Sequence, residues 1–148
     1  MKIPEIEMVV RYKNGVKPTK KFNMSKPEDV FHLAREIFNS DTILWKEEAI
    51  IICLNCANDV IGYHKISSGG IDATIMDVRV IAQISLLNNA SAVIIAHNHP
   101  SGNLKPSECD KTSTNKIKNG LELLRIKLLD HLIIDDSSFF SFANEELI

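Results

Sequence analysis

The chain of 148 residues contains no apolar run approaching the roughly 18 residues that a membrane-spanning helix requires. Its opening stretch, MKIPEIEMVV, interleaves acidic with apolar residues, so it lacks the uninterrupted apolar core of a signal peptide. Three cysteines cannot form a closed disulfide framework, which suits a reducing compartment. These absences lead to the expectation of a soluble, cytoplasmic protein. Excess charge of either sign is also lacking: the formal net charge of −2 supplies no general pull toward nucleic acid. The basic stretch of Lys17, Lys20 and Lys21 reads as solvated surface. Internal repeats and low-complexity tracts are missing too. What is present, 45% hydrophobic and 24% charged residues, is the composition of an ordinary globular domain large enough to bury a core.

Periodicity divides the chain into alternating element types. Residues 5–12 (EIEMVVRY) read as a strand turned by Asn14-Gly15, so residues 1–24 form an N-terminal strand or hairpin segment ahead of a domain over 25–148. Ser25-Lys26-Pro27-Glu28 reads as a helix start, with Ser25 as cap and Glu28 closing a capping box. The helix that follows has a buried stripe of Val30, Leu33, Ala34, Ile37 and Phe38. The continuous apolar runs at 49–54 and 92–96 predict strands covered on both faces, and residues 60–67 return as a hairpin partner of the first. Residues 77–89 predict a helix that is apolar almost all round, with Arg79 and Gln83 on a narrow wet side. A helix over 108–124 and strands at 128–134 and 139–142 complete the order. Such mixing predicts an α/β fold, a three-layer α/β/α sandwich with a mixed sheet.

Several chemically suggestive residues read as bystanders. Cys53 and Cys56 spell C-x-x-C, but one closes an apolar strand and the other sits in a turn, so they read as two ordinary thiols. His32 lies off its helix stripe, and His64 lies on the hairpin strand; both read as surface. Ser68-Gly69-Gly70 lacks the spacing of a phosphate-binding loop and reads as a turn.

The informative segment is AHNHPSGNLKPSECD, residues 96–110. Residues two apart on an extended chain point the same way, so His97 and His99 can converge on one ion while Asn98 faces the opposite side. The strand leading in and Pro100, which biases His99 toward extended geometry, both favour this. Ser107 followed three positions later by Asp110 marks a helix N-terminus. The core stripe Leu124, Leu121, Ile117 and Thr114, traced backward, ends on Asp110. An inward carboxylate needs a cationic partner, and the helix N-terminus favours its ionised form. Two imidazoles and a carboxylate make a three-ligand set with an open position, as in catalytic zinc sites where the remaining ligand is water. Ser107, one helical turn from Asp110, is a candidate oxyanion donor. A base for the water must come from elsewhere.

His97-Asn98-His99-Pro100 followed by Ser107-x-x-Asp110 resembles the JAMM motif of the MPN-domain metalloproteases and isopeptidases. The fuller string HNHPSGNLKPSECD, with LLDHLII and FFSF downstream, is similar to the bacterial RadC branch of that superfamily, over about residues 25–148. The resemblance implies a cytidine-deaminase-like α/β/α fold, zinc bound by His97, His99 and Asp110, and an oxyanion-stabilising role for Ser107. It also implies a catalytic glutamate at the head of the strand that begins WKEEAIII. Glu47 matches best, and Glu48, the alternative, faces the opposite side of the strand. Asp130 and His131 match the family's DH pair; one of them orients a ligand imidazole, or both merely close the strand. Cys109 points away from Asp110 on the helix and reads as a bystander. The first 24 residues are too few and too strand-like for the helix-hairpin-helix region common in RadC proteins. The tight loop at 102–106 argues against ubiquitin as substrate. The expected function is a zinc-dependent hydrolase, a metallopeptidase or isopeptidase acting on a peptide or protein. The alternative is a non-catalytic, metal-stabilised accessory module in DNA repair or recombination.

Overall fold

A computed structural model of the chain describes residues 3–13, 15, 22–68 and 76–148. In chain order the elements are α1 (Pro27–Ile37), β1 (Glu48–Leu54), β2 (Val60–Ser68), α2 (Val78–Leu87), β3 (Ala92–Asn98), α3 (Glu108–Leu123), β4 (Lys127–Ile134) and β5 (Phe139–Ser141). The strands form one sheet in the order β2-β1-β3-β4-β5. β1 is antiparallel to both β2 and β3, β3 and β4 run parallel with α3 as their crossover, and β5 is antiparallel to β4. The sheet is therefore mixed, and no helix among the described residues is long and apolar enough to cross a membrane.

Alternation along the central strands builds two cores. Ile50, Ile52 and Leu54 of β1, with Ile94 and Ala96 of β3, pack on the side of α1 against Val30, Ala34 and Phe38. Ile51 and Cys53, with Val93 and Ile95, pack on the other side against Ile81 of α2 and Ile117 and Leu121 of α3. Every residue of β1 and of β3 is buried. Each large apolar side chain so covered contributes about 1.5–3 kcal/mol, which explains why these two runs contain almost nothing polar until their site-bearing ends. Helices on both faces of a mixed sheet make the expected three-layer α/β/α sandwich.

Four local expectations are corrected. Residues 5–12 form no strand; Ile6, Met8 and Val10 are exposed, because an alternating pattern makes a strand only where a partner edge supplies hydrogen bonds. Gly15 does close a turn onto Tyr12, while Asn14 and the lysines at 17, 20 and 21 lie outside the described residues, as do Gly69 and Gly70. Ser25 does not cap α1: Pro27 drives the residue before it into extended geometry, so Lys26 (φ −136°, ψ 148°) becomes the N-cap and offers no side-chain cap. The wet side of α2 is broader than expected, since Val80 and Leu86 are exposed. Leu124 is also exposed. α3 ends in a Schellman turn, with Arg125 left-handed at φ 57° and the Ile126 N–H bonded to the Leu121 carbonyl, and Ile126 enters the core instead.

Candidate metal centre

The parallel pair β3–β4 and the start of α3 bring the informative residues to one end of the sheet. β3 continues its pairing past its last residue, through a bond from the His99 N–H to the Ile134 carbonyl at 3.0 Å. His97 and His99 thus share the face that carries α2 and α3, and their Nε2 atoms lie 2.9 Å apart. His97 is fully buried.

Asp110 arrives from the first turn of α3. Ser107 is the N-cap, and the capping box is reciprocal: the Asp110 N–H donates to Ser107 Oγ (3.1 Å), and the Ser107 N–H donates to Asp110 Oδ2 (2.7 Å). The Ser107 hydroxyl gives its proton to the same Oδ2 at 2.6 Å. Asp110 Oδ1 sits 3.4 Å from His97 Nε2, and Oδ2 sits 3.7 Å from His99 Nε2. Burial opposes the charge on Asp110, but the neighbouring His97 ring and the hydrogen bonds from the Ser107 hydroxyl and N–H outweigh it, holding the carboxyl well below the usual carboxylate range.

The two carboxylates at the start of β1, Glu47 just before it and Glu48 its first residue, part company. A Glu47 oxygen and one ring nitrogen from each of His97 and His99 all lie within 4.8 Å of one another. Glu48 is turned away and engaged: Ser68 Oγ donates to it at 3.0 Å, and the Lys46 and Lys65 ammonium groups lie at 3.1 and 3.7 Å. Burial would raise Glu48, yet these partners bring its pKa below the ordinary glutamate value. Asn98, on the α1 side of β3, clips the Glu47 segment in place. It accepts from the Glu48 N–H (2.7 Å) and donates to the carbonyls of Ile43 (2.5 Å) and Lys46 (2.8 Å).

The donor set suits a metal ion. His99 Nδ1 lies 2.6 Å from the Asn103 carbonyl, which can only accept, so the ring's hydrogen is on Nδ1 and its neutral form turns a bare Nε2 inward. For tetrahedral zinc with bonds of about 2.0–2.1 Å, ligand atoms lie roughly 3.3 Å apart. The observed separations of 2.9, 3.4 and 3.7 Å bracket that value. The cluster is thus able to hold a metal ion.

Other anticipated residues fall elsewhere. Cys109 and Cys56 are exposed, while Cys53 is buried with its thiol pushed up to about 11 by desolvation. His32 and His64 are exposed. The DH pair divides. Asp130 accepts from Ser141 Oγ (2.6 Å) and the Ala143 N–H (3.0 Å), tying down the C-terminal turn, whereas the buried His131 places Nε2 2.7 Å from His97 Nδ1. Burial, together with the neighbouring His97, pushes the His131 pKa well below its ordinary value against the pull of Asp110, so its ring is neutral. Sequence reasoning missed the parts played by Asn98, Thr114 and the Asn103 carbonyl. A polar residue inside a buried strand was the only signal for Asn98, and a backbone carbonyl leaves none.

A family model of RadC-like JAB domains matches residues 24–147. A UPF0758 protein of Flavobacterium johnsoniae is 44% identical over 126 residues, which are 85% of this chain and 53% of that protein. The UPF0758 protein YfjY of Escherichia coli is 39% identical over 105 residues, 71% of this chain and 66% of its own length. A UPF0758 protein of Clostridium perfringens is 34% identical over 142 residues, 96% of this chain and 60% of the relative. The chain spans about half to two thirds of the length of these curated relatives.

Proposed function

The chain belongs to the RadC-like JAB domain family, and from that premise we propose that it is a zinc-dependent hydrolase, a metallopeptidase or isopeptidase whose substrate is a peptide or protein. The observation that supports this most directly is the convergence of His97 Nε2, His99 Nε2 and the Asp110 carboxylate, with the Glu47 carboxylate beside the two histidines. In this reading His97, His99 and Asp110 hold the metal. Bound there, zinc lowers the pKa of a coordinated water to about 7 and polarises a carbonyl.

The chain's own groups supply the rest. Glu47 takes the proton of the attacking water and passes it to the leaving amine, a role in which one carboxylate is worth about 10²–10⁴ in rate. Glu48 cannot replace it, because it lies on the opposite face and is held by Lys46, Lys65 and Ser68. Ser107 has one hydroxyl proton, and at rest it is committed to Asp110 Oδ2. To stabilise an oxyanion it must release that bond as substrate arrives, so Ser107 both positions Asp110 and acts as donor in turn.

Zinc content and turnover of a panel of peptide and isopeptide substrates test the reading together. His97→Ala and His99→Ala should lose the metal. Glu47→Gln should keep metal and fold while hydrolysis falls by about two to four orders of magnitude. Full zinc retention in both histidine variants would sink the metal assignment, and full turnover in Glu47→Gln would sink the base.

A further inference from the structure

A chain of hydrogen bonds leads from the Asp110 backbone to His97, and one arrangement of protons satisfies all of it. Thr114 Oγ1 lies 2.7 Å from the Asp110 carbonyl oxygen, and two oxygens so close need a hydrogen between them. The carbonyl only accepts, so the hydroxyl proton is committed there. Thr114 Oγ1 also lies 2.6 Å from His131 Nδ1 and must accept from it, so His131 carries its hydrogen on Nδ1. The His131 ring is fully buried, stacked on Phe142 at 4.7 Å, and among the described residues no carboxylate lies within hydrogen-bonding reach of it. A second ring proton would be a buried charge without a counterion. His131 Nε2 is therefore bare, and its 2.7 Å contact with His97 Nδ1 requires His97 to donate.

We propose that Thr114 and His131 form a positioning arm that holds His97 in the Nδ1–H form and so presents Nε2 as a lone pair to the metal. The inference rests on the metal-centre reading above. The arm starts at the peptide of one ligand, Asp110 on α3, crosses β4 at His131, and ends on another ligand, His97 on β3. It links two ligands from different elements, so the placement of one depends on the other. No carboxylate takes part in the arm, which runs through a backbone carbonyl, a hydroxyl and two imidazole rings. If the Thr114 hydroxyl is lost, the arm's direction is no longer set. The reversed arrangement, with His131 donating from Nε2 and His97 protonated on Nε2, then becomes populated, and that proton stands where the metal binds.

The test is Thr114→Val in the full chain, which keeps the side-chain shape and removes the hydroxyl. Zinc affinity is read by competition with a chromophoric chelator. Ring protonation is read on metal-free protein by long-range proton–nitrogen correlation NMR. Wild type should show His97 and His131 both protonated on Nδ1. Thr114→Val should lose that pattern and bind zinc about ten- to a hundred-fold more weakly, and Thr114→Ser should restore both. Should Thr114→Val not fold, His131→Phe, which retains the stack on Phe142, carries the same expectation for zinc affinity. Affinity within twofold of wild type in a folded variant, or wild-type His97 protonated on Nε2, overturns the arm. A wild-type chain that binds no zinc overturns the metal-centre reading instead, and the NMR measurement on that same chain still decides the arm.

Discussion

Asn98→Ala should destabilise the protein by about 2–6 kcal/mol without removing any residue of the metal cluster. The Asn98 side chain is fully buried and satisfies three backbone groups: the Glu48 N–H and the carbonyls of Ile43 and Lys46. Ile43 and Glu48 are themselves buried, so alanine leaves two groups that water does not readily reach, each costing about 1–3 kcal/mol. Lys46 is half-buried, and water can replace its lost partner at little cost. Two buried orphans and one recoverable bond give the stated range, or roughly 2–4 °C of melting temperature per kcal/mol in a chain of this size. Asn98→Asp should be no milder, because it keeps the acceptor for Glu48 but sets a carboxylate against two carbonyls. The assay is urea unfolding, with hydrogen exchange at the Glu48 amide as a local probe. The same variants should retain zinc yet lose turnover, since the clip holds the segment on which Glu47 sits. A loss below about 1 kcal/mol, or a Glu48 amide as protected as in wild type, would refute the reasoning.

Four further outcomes are expected. Partners hold the Glu48 pKa below its ordinary value, so its contribution to stability is present above that ordinary value and is lost as the pH falls through the lowered one; Glu48→Gln should flatten this acid limb, and an unchanged limb in a pH series of unfolding curves contradicts the assignment. Arg125 is exposed and left-handed at φ 57°, so Arg125→Gly should stabilise by about 0.5–1 kcal/mol, read as a shift in the urea midpoint. A Cβ at Gly120 would stand 2.7 Å from Val78 Cγ1, a stiff β-branched group at the α2–α3 contact; Gly120→Ala should therefore lower the melting temperature despite alanine's better helix propensity. Zinc at a hundredfold above its Kd should stabilise wild type by about 2.7 kcal/mol, a gain visible in thermal melts, reversed by a chelator and absent in His97→Ala.

Much of the architecture was legible without coordinates, because local pattern and global fold agree in this chain. Two short uninterrupted apolar runs read as strands covered on both faces, and the i, i+3, i+4 stripe after Pro27 reads as a helix packed on them. The histidine pair was legible for the same reason: residues two apart on a strand point alike whatever lies around them. Ser107 and Asp110 were legible because a capping box is a contact within one helical turn. Where a reading failed, the missing information was a partner. Residues 5–12 alternate as a strand does but pair with no edge among the described residues, and Ser25 lost the cap position to the constraint that Pro27 places on Lys26.

What the tertiary structure alone decided is how distant segments meet. Sequence left Asp130 and His131 undivided; the parallel register of β4 against β3 sets His131 beside His97, while Asp130 goes to the C-terminal turn. Family resemblance and strand parity favour Glu47 over Glu48 in the sequence, and the fold adds the contacts: it gives Glu48 two lysines and a serine and sets Glu47 near the histidines. The Asn98 clip, the Asn103 carbonyl under His99 and the Thr114 hydroxyl under His131 carry almost no local signal. Periodicity reports which face a side chain takes, whereas a hydrogen bond between residues tens of positions apart depends on how strands and helices are placed in space, and only folding settles that.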